Sequence, residues 1–387
     1  MPFMLQNHLR TQIVATIAAG HSVTLVCSDG LEIASLQDIA GIRIKLIEIP
    51  RSISLWKDLF ALWALIVFFR ANAFDVVHST TPKAGFLSMV AAWLARVPVR
   101  LHTFTGQPWM VASGFKRTVV KSADCLTARL SSMNYTDSYS QAKFLVDEGV
   151  ADRDKVKTLG AGSLAGIDCR RFDPQRWGLV APQMLNQLGL SVAEKVLIFV
   201  GRLTGDKGVV ELVTAFEKLQ ELGYSYKLLL VGPFEAELDP LPEHTLRAIR
   251  CNTGILSVGY VNEPERYLAI SDVLCLPSYR EGFGTVVLEA AAMGVPTVGS
   301  DIVGIRDAIV DNETGILIPV KDVNALVREL ARLMENDVLR EEMGSLARQR
   351  CLQNFDSLLI NRHVIDEYAL RWVDIAGTKG PYDEKKF

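Results

Sequence analysis

The sequence predicts an α/β protein with largely parallel sheets, arranged as two doubly wound domains. Short apolar runs rich in Val, Ile and Leu alternate with helix-length segments along most of the chain. The clearest unit begins with the strand Asp272-Val-Leu-Cys-Leu-Pro277. A loop with Gly282 and Gly284, a helix, a stop at Gly294 and a further strand, Val295–Gly299, follow it, as in a parallel sheet. A length of 387 residues suffices for two domains of ordinary size.

Composition narrows the function. Apolar residues make up 49% and charged residues 22%, the balance of a globular chain. A net charge of −3 argues against general nucleic-acid binding. The charge is uneven, however. Residues 1–175 carry 19 Lys+Arg against 14 Asp+Glu, a net of +5, and the remainder carries −8, so the first half suits an anionic surface or substrate. The six cysteines show no Cys-x-x-Cys pair, and several lie in apolar strands, as expected of small core residues in a reducing compartment. No secretory signal is apparent. The longest apolar run, Leu59–Phe69, is eleven residues between Asp58 and Arg70, too short to cross a membrane.

In chain order, a helical segment ends near Gly20 and leads into a strand, Ser22–Cys27. A doubly wound domain ordinarily opens with a strand, and none precedes this helix. Either the native start lies upstream of Met1 or the first domain is incomplete; the first is the preferred expectation. Strands follow at Ile42–Ile49, Phe74–His78 and Val99–Phe104, with helices near 53–70 and 83–95. A strand and helix cover 132–149, and Lys155–Leu159 closes the domain. Ligands of such sheets bind beyond the carboxyl ends of the strands, which places His78–Lys83 and Thr105–Trp109 in the expected crevice. The glycine-rich stretch Gly160–Pro174 bridges to a second α/β domain opening at Val196–Val200, with the linker running on through Pro182. Its strands recur at 226–231, 255–261, 272–277 and 295–299, and helices near 322–336, 338–353 and 357–372 end it. The expected division is 1–175, 176–372 and a polar, disordered tail over 373–387.

Two stretches carry the chemistry. Gly201-Arg-Leu-Thr-Gly-Asp-Lys-Gly208 directly follows a strand and sets Arg202 and Lys207 beside a helix start. That suits a diphosphate, with arginine binding as a fork and lysine as a compact charge. Without a Gly-Lys-Ser/Thr element it is not a Walker loop. In the second stretch, Ser278–Gly294, Gly282 and Gly284 let the backbone approach a ligand where unpaired N–H groups and the helix dipole favour an anion. Glu289 stands alone in an otherwise apolar helix; a buried carboxylate needs a partner, and ligand hydroxyls would serve. Glu281 lies at the mouth of the loop. No Asp-x-Asp ends a strand and the six histidines lack ligand spacing, so metal-independent chemistry without a cofactor is expected. No Gly-x-Ser-x-Gly elbow points to a hydrolase.

Two glutamates separated by seven residues around Gly282-Phe283-Gly284, with the Gly201–Gly208 element upstream, resemble the signature of retaining nucleotide-sugar glycosyltransferases of family 4. The resemblance covers almost the whole chain and is most specific from about 196 to 320, through Gly304–Asp307 and Glu313–Pro319. It implies the GT-B fold, two Rossmann-like domains facing across a cleft. It also implies that Glu281 meets the donor sugar, Glu289 the ribose, and Arg202 and Lys207 the pyrophosphate. Arg202, Lys207 and Glu281 are therefore the candidate catalytic residues. Gly201, Gly232, Pro233, Gly282, Phe283, Gly284, Thr285 and Glu289 are the candidate donor contacts, and Val258–Val261 resembles the element that packs on the nucleobase.

The first domain departs from the family pattern. Many relatives carry His-Gly after the fourth strand, where this chain has Thr105-Gly106; His102, three residues earlier, points to the opposite face of its strand. His78, Lys83, His102 and Thr105 are the candidates on the acceptor or donor-sugar side. Lys83–Gly85, Phe104–Trp109 and Gly160–Ser163 resemble bacterial members that extend lipid-linked capsule, O-antigen or glycan precursors. This implies a UDP-linked donor, a glycan acceptor such as one carried on polyprenyl diphosphate, and a cytoplasmic location. A peripheral contact with the inner membrane face is expected through Trp109, Phe115, Lys116, Arg117 and Lys121, helped by the apolar helix near Leu55–Phe69. Two alternatives are a UDP-sugar epimerase of the same fold, which the glutamate pair speaks against, and a non-catalytic sugar-nucleotide-binding protein.

Overall fold

The computed structural model describes residues 2–50, 54–235 and 239–376. The described chain falls into two units, one running to Gly166 and resuming at Ser357, the other spanning Ile167–Asp356.

In the first unit, β1 (Thr24–Cys27) pairs in parallel with β2 (Arg43–Leu46). A separate parallel sheet takes β3 (Val76–Ser79), β4 (Val99–Phe104), β5 (Met133–Thr136) and β6 (Val156–Thr158) in that order. β1 and β3 both line a cavity of about 180 Å³, together with Met4, Leu5 and Phe69. Helices cross between the strands. Leu55–Asn72 and Pro82–Leu94 share a core in which Ala61, Leu65 and Phe69 meet Leu87, Ala91 and Ala92. Proline suits the first turn of the second helix, since its missing N–H has no intrahelical acceptor there. Ser138 caps Tyr139–Asp147 by accepting from the Gln141 N–H at 3.1 Å.

The helix Ser357–Ala376 belongs to this first unit, which differs from a simple division at 175/176. Its Val364 packs with Val99, Leu101 and Tyr135, and the Tyr135 hydroxyl donates to Glu367 Oε2 at 2.8 Å. The apolar side of the helix thus finds its partner in a sheet far upstream in sequence. Most of the tail expected beyond residue 372 lies outside the described residues, which end at Ala376.

Trp109 also departs from expectation. Instead of facing a membrane it is fully buried, stacked on Phe144 at 5.3 Å between ring centroids, with Nε1 donating to Asp124 Oδ2 at 2.8 Å. Arg117 and Lys121 lie over its ring and pair with Glu148, so they serve this local packing. Phe115 and Lys116 remain exposed.

The second unit holds β7 (Lys195–Val200), β8 (Tyr226–Val231), β9 (Ile255–Gly259), β10 (Val273–Leu276), β11 (Thr297–Ser300) and β12 (Gly315–Ile318). They form one parallel sheet in the order β12-β11-β10-β7-β8-β9. β7, β8 and β10 read as continuous apolar runs because helices cover both faces, leaving no polar side to alternate with. β12 is not among the expected strands; its four residues are too few to show a period. The expected linker contains two helices, Pro174–Gly178 and Ala181–Gln187, anchored by buried Trp177 and Met184.

Candidate active site

The strand order fixes where a ligand can sit in the second unit. β7 and β10 are adjacent at the centre, with Val273 beside Leu197 and Leu274 beside Ile198. The chain leaves β7 through Gly201–Gly208 and the helix Val209–Glu221 toward β8. It leaves β10 through Ser278–Gly284 and the helix Thr285–Ala292 toward β11. The two connections diverge, which opens a crevice above the carboxyl ends of β7 and β10, the topological switch point of the sheet. Both chemistry-bearing stretches of the sequence are the loops at this point.

Side chains join the loops. Lys207 Nζ lies 2.6 Å from Glu281 Oε1, and the Ser278 hydroxyl donates to the same oxygen at 2.9 Å. Both members of the ion pair are largely buried, at 18% and 15% side-chain exposure. Arg202 pairs with Glu235, on the loop after β8. Asp206 accepts from the Thr204 hydroxyl at 2.7 Å and from Arg280 Nη2 at 3.1 Å, while its carbonyl takes the Tyr279 N–H at 2.9 Å. Burial alone would raise the Asp206 carboxyl, but the Thr204 hydroxyl, Arg280, Lys207 and Arg202 together hold it below its ordinary value. Three cations, Arg202, Lys207 and Arg280, therefore gather around one carboxylate at the mouth of the crevice.

Arg280 is the residue that reading the sequence missed. It directly precedes Glu281, yet nothing in an isolated arginine shows that its partner will be Asp206 on the other loop. Its Nε is buried without a hydrogen-bond partner, so the guanidinium is only partly satisfied by the protein.

The glycines explain how the loops come so close. Gly208 has φ +71°, and a Cβ there would stand 2.1 Å from the Pro277 carbonyl oxygen; a Cβ on Gly232 would stand 1.8 Å from that of Gly201. Gly201 and Gly232, expected at the donor, thus make the mutual backbone approach of β7 and β8. The Pro233 carbonyl accepts from the Leu203 N–H at 2.9 Å. Gly284 takes the left-handed conformation as N-cap of Thr285–Ala292, and Thr285, half-buried, opens that helix. The Gly284 carbonyl accepts from the Val287 N–H at 2.8 Å, and the Thr285 and Val286 amides ahead of it lie too near the helix start for an intrahelical acceptor. A Cβ on Gly304 would come 2.5 Å from the Gly282 oxygen, so the next loop packs directly on this one. Phe283, expected at the donor, is turned inward and packs on Phe355, 5.4 Å between ring centroids.

Glu289 sits one turn into the same helix, half-buried. Burial pushes its carboxyl up to about 7, with Arg171 pulling it down and Glu265 adding to the rise. Arg171 is occupied in a fork on buried Glu265, Nε to Oε1 at 2.8 Å and Nη2 to Oε2 at 2.9 Å. Glu289 is left as a desolvated carboxyl suited to ligand hydroxyls.

The first-unit candidates are largely engaged within that unit. His78 hydrogen-bonds Tyr368 through Nδ1 and Thr103 through Nε2, each at 2.8 Å, and burial lowers it to about 4, so it is neutral at pH 7. His102 is buried inside the sheet, 2.8 Å from the Ser79 hydroxyl, and packs so tightly on Gly85 that a Cβ there would lie 2.4 Å from its ring. Burial, and His78 beside it, lower it to about 3. Lys83 pairs with Asp58 at 2.6 Å and donates to the Pro50 carbonyl at 2.8 Å. Thr105 is half-buried and donates to the Thr80 carbonyl at 3.2 Å.

Known proteins share both halves of this architecture. A glycosyl transferase 4-like domain matches residues 5–162, and a glycosyl transferases group 1 domain matches residues 181–350. The capsular polysaccharide biosynthesis glycosyltransferase CapM of Staphylococcus aureus is 29% identical over 355 residues, covering 91% of this chain and 90% of that protein. The Escherichia coli UDP-Gal:α-D-GlcNAc-diphosphoundecaprenol α-1,3-galactosyltransferase is 27% identical over 346 residues, covering 86% and 85%. Among solved structures, Anabaena HepE in complex with UDP and glucose superposes with a TM-score of 0.76 at 18% identity, over 92% of this chain and 95% of that one.

Proposed function

Because the chain belongs to the group 1 glycosyl transferases and has their GT-B fold of two Rossmann-like domains, we propose that it transfers a sugar from a UDP-linked donor to a hydroxyl of a lipid-diphosphate-linked glycan, with retained anomeric configuration. That it is a glycosyltransferase follows from the family; donor base, acceptor and stereochemistry are the proposal. The observation that carries it is the Lys207–Glu281 pair at the switch point of the second sheet, flanked by Arg202 and Arg280. In the reaction the bond from the anomeric carbon to the diphosphate oxygen breaks, the electron pair leaves with UDP, and the acceptor oxygen bonds to that carbon as its proton passes to the departing phosphate oxygen. Negative charge grows on the diphosphate, within reach of Lys207, Arg202, Arg280 and the first amides of Thr285–Ala292, the cations exchanging their present carboxylate partners for phosphate oxygens. Glu281 meets the sugar hydroxyls and Glu289 the ribose.

The galactosyltransferase relative is named for a diphosphoundecaprenol acceptor and HepE is solved with UDP, which support a lipid-linked acceptor and a uridine donor. The reading includes a peripheral contact with the cytoplasmic face of the membrane that carries the acceptor, supported by the +5 charge of residues 1–175.

The test is to incubate the purified chain with UDP-glucose, UDP-galactose or UDP-N-acetylglucosamine and a polyprenyl-diphosphate-linked sugar. Acceptor-dependent UDP release with one donor, and a product whose new linkage keeps the donor's anomeric configuration by NMR, are expected. Release of UDP from none of them, or an inverted product, would contradict the reading.

A further inference from the structure

The helix Leu55–Asn72 carries apolar residues on two opposite faces, and only one is used by the protein. Ala61, Leu65 and Phe69 point into the core of the first unit. Trp56, Phe60 and Trp63 are 84%, 68% and 60% exposed, and Leu55, Leu59 and Val67 lie open on the same side. Positions 56, 60, 63 and 67 recur at helical spacing and make one stripe, roughly 16 Å long at 1.5 Å per residue. Scattered exposed apolar side chains are ordinary, but a continuous stripe with two tryptophans and a phenylalanine is a binding surface.

We infer that this stripe is the surface on which the protein lies against an anionic lipid bilayer. The inference deepens the membrane contact proposed above by naming the face that makes it. Charge favours this occupant. Residues 40–100 hold eight Lys+Arg against three Asp+Glu, so the net positive charge of residues 1–175 falls in the stretch of sequence that contains this helix. Lys57 and Arg70 are on the helix itself. Lys45 reaches alongside it, 5.7 Å from the Phe68 ring centroid, and Arg70 donates to the Leu94 carbonyl at 3.2 Å, which brings exposed Trp93 and Leu94 next to its last turn. The one acid of the helix, Asp58, is drawn into an ion pair with Lys83. Apolar side chains therefore project from a surface edged by cations, which suits acyl chains under anionic headgroups, with tryptophans at the level they prefer. A second copy of the chain would bring two such cationic rims together. The helix lies in the surface rather than through it, since no helix of the described residues is long and apolar enough to cross a membrane.

The full chain is floated with vesicles of phosphatidylcholine alone and of phosphatidylcholine with phosphatidylglycerol. The W56S/F60S/W63S variant and a control, L179S at an exposed position of the second unit, are compared with it. The inference expects binding to the anionic vesicles only, weakened by salt, at least about tenfold weaker in the triple variant and unchanged in L179S. Tryptophan fluorescence should be quenched by lipids brominated in the acyl chains. UDP affinity and melting temperature, measured on the same preparations, should stay at the unsubstituted level, which separates a lost membrane surface from a lost fold. Equal flotation of the triple variant, or no flotation of the unsubstituted chain, overturns the inference. So does a lipid-free dimer that the triple variant dissociates while vesicle binding persists. Vesicle binding with no UDP binding would instead sink the proposed reaction and leave the surface standing.

Discussion

Lys207 Nζ stands 2.6 Å from Glu281 Oε1, so the cation expected on the diphosphate and the carboxylate expected on the sugar neutralise each other across the two central strands of the second sheet. On the proposed reading a donor parts them: lysine turns to phosphate and glutamate to sugar hydroxyls, which would couple nucleotide binding to the placing of the sugar.

Glu281→Gln should therefore separate binding from turnover. The substitution releases Lys207 from its partner and removes a negative charge near the diphosphate. UDP alone is expected to bind at least as tightly as before, while kcat falls by on the order of tenfold or more as the contact to the sugar is lost. Calorimetry with UDP and turnover with the donor check both. A parallel fall in UDP affinity would place the carboxylate on the nucleotide instead.

Glu289 should give a pH signature. Its carboxyl is raised from 4.5 to about 7 by burial, so its contribution to stability is complete below about pH 4.5 and is lost as pH rises through 7. Glu289→Gln should accordingly raise Tm at pH 8, by the equivalent of about 2 kcal/mol, and leave it unchanged at pH 4. The same substitution should weaken UDP binding at pH 8, where the ionised carboxylate accepts from the ribose. Unsubstituted protein should bind UDP less well as pH falls below 7. Melting curves and titrations across this range test the assignment; a pH-independent affinity would make the carboxylate structural.

Gly208→Ala should fail through the backbone rather than through chemistry. Its φ of +71° and the 2.1 Å approach of a Cβ to the Pro277 oxygen leave no room for a side chain between the two site loops. A loss of at least ~3 kcal/mol of stability is expected, seen as a lowered Tm. A variant as stable as the parent would show that the loops are not packed this closely.

Much of the second unit could be read in the sequence because its signals are local. A strand, two glycines, a helix and a stop follow one another within Asp272–Gly299, and the cations of Gly201–Gly208 sit directly behind a strand. Which strands are neighbours is not local. That β7 lies beside β10, so that Lys207 meets Glu281 and Arg280 meets Asp206, depends on the assembled sheet. The return of Ser357–Ala376 to the first unit was hidden for the same reason, since an apolar helix face does not name its distant partner. Trp109 misled because an aromatic among cations reads as a surface, whereas Asp124 and Phe144 draw it inside. In the Leu55–Asn72 helix, apolarity all round left no stripe to single out, and only the fold shows which face is left open.

The most direct test of the account is turnover in Lys207→Ala and Arg202→Ala, each checked for an unchanged melting temperature. If both cations meet the charge that develops on the leaving diphosphate, as proposed, each loss should cost about 2–4 kcal/mol, or ~10²–10³ in kcat. Folded variants that turn over at the parental rate would contradict the claim that the β7–β10 crevice is the donor site.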